Sequence, residues 1–179
     1  DGRARFLGHP QAGAATAAAI MERLRFSTRE IKLVEMLVRH HLRPTQMGQE
    51  GLPTPRAIYR YFRDTGEAGI DILFLSLADH LATRGETLDM AEWQQHTGVV
   101  TYVLTRHFEE VRITAPPKLI DGHDLMETFR LSPGPELGKL LETVREAQAA
   151  GEVNSRKGAL DYVRSLLTNR EPGSRSEPS

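Results

Sequence analysis

Residues 70–82 read IDILFLSLADHLA, thirteen positions of which nine are apolar. The apolar residues fall on nearly every side of a 3.6-residue period, so the segment is expected to be a helix buried at the centre of its domain. Gly66 and Gly69 bracket a turn ahead of it and Gly85 ends it. Asp71, Ser76, Asp79 and His80 interrupt the run, which is too short to span a bilayer and is the longest apolar stretch of the chain. Toward the N-terminus the periodicity stays helical. Residues 10–25 are alanine-rich with Ile20 and Leu24 in register, and Ser27 with Glu30 forms a capping box that opens a helix running to His41. Pro44 is expected to stop that helix, residues 45–55 to form a loop rich in glycine and proline, and residues 56–63 a short helix. Toward the C-terminus the pattern predicts a long helix over 90–111, a hard boundary at Pro116–Pro117, and helices over 123–129, 135–150 and 155–167. No alternating strand pattern and no internal repeat is present, and the fold class expected is all-α.

The chain has 179 residues and a mass of 20.0 kDa, enough for one generous domain or one and a half, and enough to bury a core without staples. It contains no cysteine. That excludes a disulfide scaffold, a cysteine nucleophile and a thiolate zinc site, and it suits a reducing cytoplasm. No signal-peptide pattern is read in these residues, and the opening on Asp1 instead of Met leads us to expect a fragment of a longer protein. The net charge of −1 conceals a division: residues 1–63 carry eleven basic and five acidic side chains, residues 64–179 twelve and nineteen. Nineteen of the 23 basic residues are arginine, whose planar fork grips phosphate and carboxylate in two-pronged fashion.

Of the seven histidines, His9 opens HPQAGA and His40 and His41 close the second helix. Asp79 stands within SLADHLA, where a buried carboxylate needs a partner. That partner is either a divalent cation shared with imidazoles from facing helices, or a neighbouring helix terminus or arginine. Arg56, Arg60 and Arg63 recur at spacings of four and three, so one helix face bears a row of guanidinium groups, with Arg43 across the loop. The row fits either an RNA backbone or a solvated charged face, and Tyr59, Tyr61 and Phe62 fit a core.

The order RFLGHPQAGA, LVEMLVRHHLRP, LSLADHLATRG resembles the second half of an HD-type helical region. With the tail IDGHDLMETFRLSPGPELGKLLETVREAQAAGEVNSRKGAL it resembles the bacterial tRNA nucleotidyltransferase (CCA-adding enzyme) and poly(A) polymerase family, over residues 3–168. The resemblance implies the C-terminal part of an HD-type domain over 1–115, a helical tail domain over 119–168 that binds RNA or packs on the body, and a disordered segment over 169–179. It places His9, His40 or His41, and Asp79 on ligand positions for a divalent metal of the magnesium or manganese class. Binding in this chain is expected to be weak, since the His-Asp dyad should lie upstream of Asp1. The nucleotidyl-transfer head, with its glycine-serine motif and paired aspartates holding catalytic magnesium, is also missing from these residues.

The implied function is that of a helical body and tail that hold tRNA, or another RNA 3′ end, for nucleotide addition by the missing N-terminal head. Arg43, Arg56, Arg60 and Arg63 would meet phosphates. The alternative is an HD-superfamily metal-dependent phosphohydrolase acting on nucleotides or cyclic phosphates. A third possibility leaves the metal residues as relics. His123–Asp124, the single His-Asp dipeptide, is assigned instead to a helix start, where Asp121 and Asp124 suit the N-terminus. In LSPGPELG, Pro135 starts a helix whose free amides could also take a phosphate.

Overall fold

The computed structural model describes residues 8–109 and 116–169. Every regular element among them is helical. The chain divides into two compact units, Asp1–Glu109 and Glu110–Ser179.

In the first unit, α1 (His9–Arg23) packs along α2 (Thr28–His40). Gly13 permits the close approach, since a Cβ there would lie 3.3 Å from Val38 Cγ1. The start of α2 follows the capping box: the Ser27 hydroxyl accepts from the Glu30 amide and the Glu30 carboxylate accepts from the Ser27 amide. The Ser27 hydroxyl also donates to the Glu30 carboxylate at 2.7 Å, and this bond, followed by that of the Ser27 amide, favours the ionised form and holds Glu30 below its ordinary pKa. Pro44 does not simply end α2. It sits in the first turn of a separate short helix, α3 (Arg43–Met47), where its missing N–H has no helical partner to lose. The predicted loop therefore begins only after Met47.

Helix α4 (Pro55–Thr65), capped by Thr54, buries Ile58, Tyr59, Tyr61, Phe62 and Thr65. Tyr59, Tyr61 and Phe62 are thus core residues, and the Tyr61 hydroxyl donates to the Gly69 carbonyl. A short 3₁₀ turn, Gly66–Ala68, leads into α5 (Gly69–Arg84). Gly69 is required at this corner: a Cβ would come within 2.8 Å of Thr65 Oγ1 and 2.9 Å of Phe62 Cδ1. Helix α5 is not buried on all sides as expected. Its inner face consists of Gly69, Ile72, Leu73, Ser76 and His80, whereas Phe74 is 56% exposed and Leu81 44%. Apolarity places residues inside only as a tendency, and an apolar residue standing singly at a surface is common. Beyond Gly85, which adopts φ 48°, α6 (Met90–Glu109) contributes Val99, Val100 and Val103 to the core. The predicted end of this helix at Val111 lies outside the described residues.

The second unit comprises α7 (Gly122–Phe129), α8 (Pro135–Ala149) and α9 (Arg156–Thr168). Ile120, Leu125, Leu140, Val144, Ala147, Val153, Ala159 and Val163 form its core. Asp121 caps α7 by accepting from the amides of His123 and Asp124, and the Asp124 carboxylate returns a bond to the Asp121 amide. Arg156 holds the same Asp124 at 2.6 Å. The His-Asp dipeptide is therefore a helix cap, as its setting indicated. Pro135 opens α8 after Gly134, which offers no side-chain cap. Residues 170–179 of the expected disordered segment lie outside the described residues.

Candidate nucleic-acid interface

Helix α4 turns its aromatic stripe inward, which directs Arg60 and Arg63 outward. Arg60 and Arg63 are exposed and Arg56 is half-buried. Arg63 and Arg43 meet at Asp64: Arg63 Nε lies 2.6 Å from Oδ1 and Arg43 Nη2 2.8 Å from Oδ2. Burial alone would raise the Asp64 pKa, but the hydrogen bonds and charges of the two arginines outweigh it and hold the carboxyl below its ordinary value. Arg43 also lies over the Tyr61 ring, 5.8 Å from its centroid. One carboxylate thus anchors two guanidinium groups from different helices, and their remaining N–H donors are fixed in place.

His40 adjoins this cluster. With Gln11, Arg39, Arg43 and Gln46 it lines a cavity of about 280 Å³. Burial lowers the His40 pKa, the charges of Arg43 and Arg39 lower it further, and Asp64 opposes them only in part. The surroundings of His40 therefore repel a cation and suit an anion.

His41 points elsewhere. Its Nδ1–H donates to the Val38 carbonyl at 2.7 Å, and its ring lies 5.6 Å from that of His9. Asp79 is partly exposed on α5, and so is spared the full desolvation that led us to expect a partner. His9 and His41 are thus brought together, but no group of three His, Asp or Glu side chains that could hold a metal ion occurs among the described residues. Within the described residues His9 and His41 would supply at most part of the ligand shell of a divalent metal.

The sequence reading passed over a second cluster. Ser76, His80 and Arg84 recur every four residues along α5, opposite Glu92 and His96 at the same spacing on α6. The His80 and His96 rings stack at 5.1 Å with 13° between planes, and the His80 ring lies 5.6 Å from that of Trp93. His96 Nε2–H donates to the Ser76 carbonyl at 3.2 Å, and Arg84 Nε lies 3.0 Å from a Glu92 carboxylate oxygen. The signal was a polar stripe with helical spacing inside the most apolar segment.

A family model described as tRNA nucleotidyltransferase domain 2 matches residues 6–163. Among curated proteins, a CC-adding tRNA nucleotidyltransferase of Thermus thermophilus is 33% identical over 99% of this chain and 37% of its own length. An A-adding tRNA nucleotidyltransferase of Deinococcus radiodurans is 30% identical over 97% of this chain and 38% of its own length. A CC-adding tRNA nucleotidyltransferase of Geobacter sulfurreducens is 28% identical over 89% and 34%. The chain thus spans less than two-fifths of the length of these relatives. No solved structure matches it. Family and relatives alike carry nucleotidyltransferase names, and the phosphohydrolase alternative finds no support in them. Among the described residues no helix is long and apolar enough to cross a membrane.

Proposed function

The chain belongs to the tRNA nucleotidyltransferase domain 2 family, and from that premise we propose that it is the part of such an enzyme that holds tRNA while a separate head adds nucleotides to the 3′ end. The observation that carries this reading is the pair Arg43–Arg63 anchored on Asp64, continued along α4 by Arg60 and Arg56. Fixed guanidinium groups in a row match a line of phosphates, and the cavity at His40 favours the same sign of ligand. Arg43, Arg56, Arg60 and Arg63 are the phosphate contacts in this proposal. They set the position and orientation of the RNA without reading its sequence, because phosphate contacts carry no base information. Recognition then rests on shape, as is usual for RNA duplexes.

The division of labour proposed is that the units Asp1–Glu109 and Glu110–Ser179 both serve the RNA-holding body, while magnesium and the reacting groups belong to the head. Filter binding of a tRNA lacking its 3′ end, at several salt concentrations, tests the reading. Affinity should fall steeply with salt and differ little between tRNAs of different sequence. Failure of the chain to retain tRNA at low salt would contradict the proposal.

A further inference from the structure

A cavity of about 270 Å³ lies where the turn after α3 meets α5 and α6, remote in kind from the arginine row. Its wall holds His80, Arg84, Glu92 and Gln95, and its apolar side is Val99 beneath Gly48. Gly48 is essential to that floor, because a Cβ there would lie 2.7 Å from Val99 Cγ2. The Gln95 amide donates to the Gly48 carbonyl at 3.2 Å, which ties the turn to α6 and leaves the Gln95 oxygen as an acceptor. His80 is only 5% exposed, and its Nε2 is buried with no hydrogen-bond partner. A buried polar atom left unpaired is costly, and its side chain lines this cavity, so a ligand seated there could complete it.

The chemistry of the wall narrows that ligand. Arg84 and Glu92 neutralise one another across 3.0 Å, so the site carries little net charge and does not suit a bare phosphate. Burial, then the Arg84 charge, hold the His80 pKa below its ordinary value. Donors on Arg84 stand beside acceptors on Glu92 and Gln95, against an apolar wall. A flat neutral heterocycle with adjacent donors and acceptors on its edge meets all of these. We propose that this cavity binds a nucleobase, that of a free nucleotide or of an unstacked residue in RNA. The RNA source rests on the function proposed above.

Trp93, the only tryptophan of the chain, lies against His80 and reports occupancy by fluorescence. The full chain is titrated with cytidine and adenosine 5′-monophosphates, with a short single-stranded RNA, and with ribose 5-phosphate. At least one base-bearing probe should change the emission while ribose 5-phosphate does not. A response to the mononucleotides identifies the free-nucleotide source, and a response to the oligonucleotide alone identifies RNA. His80→Phe keeps a ring in the stack but removes Nε2, and should weaken binding about tenfold, as should Arg84→Gln. An equal response to ribose 5-phosphate would overturn the proposal, as would unchanged binding in both variants. No response to any base, with tRNA still retained on filters, overturns the nucleobase site alone. Loss of tRNA retention as well would overturn the RNA-holding reading.

Discussion

His40, His80, His96 and His107 are all held below the ordinary histidine pKa, with burial the first cause in each. Their folded values lie under the unfolded one, so the unfolded chain takes up protons first as pH falls. The stability they contribute is complete above the unfolded pKa of about 6.5 and is lost as pH drops through the folded values. Urea unfolding at about pH 7.5 and about pH 5.5 should show a lower midpoint at the acid value, before the depressed carboxylates Glu30, Asp64 and Asp124 titrate. An unchanged midpoint would contradict the burial of these imidazoles. Gly69→Ala should destabilise by about 1–3 kcal/mol in the same assay, since Thr65 and Phe62 leave no room for a methyl group. Neither effect was legible beforehand. A helix that is apolar on most sides does not disclose which way it faces, so attention fell on Asp79, which is partly exposed, and not on His80 next to it, which is buried.

Helix starts were the most legible elements, because a cap is a local contract between a side chain and amides two or three residues on. Ser27 with Glu30 and Asp121 with Asp124 both close as reciprocal boxes, and Ser155 caps α9. The role of Pro44 was hidden. Proline ends one helix and begins another with equal ease, and the choice depended on whether residues 45–47 had something to pack against. In the second unit, Asp121→Ala should cost about 1 kcal/mol by thermal melting, while His123→Ala should stay within about 0.5 kcal/mol. The difference follows from the Asp121 carboxylate holding two amides while the His123 side chain is exposed. A larger loss from the histidine would revive its candidacy as part of a metal dyad.

At the level of the whole molecule, the all-α class and the family were both legible, the first from unbroken helical periodicity and the second from phrases such as PGPELG and AGEV in the tail. The basic excess of residues 1–63 was visible as a sum, but its arrangement was not. Asp64, counted in the acidic part, turns out to be the anchor that fixes Arg43 and Arg63, so a partition by charge cut through the middle of the cluster. The central claim is that this cluster and the row along α4 meet RNA phosphates. Its most direct test is tRNA filter binding over a series of salt concentrations with the chain and its triple variant Arg56→Gln, Arg60→Gln, Arg63→Gln, once circular dichroism shows equal helix content. Glutamine removes the charge without the long-range repulsion a glutamate would add. Each lost phosphate contact should lower the log-log salt slope by up to about one unit, with weaker binding and no change in sequence preference. Affinity and slope left intact in the triple variant would contradict the claim and make the row a solvated face.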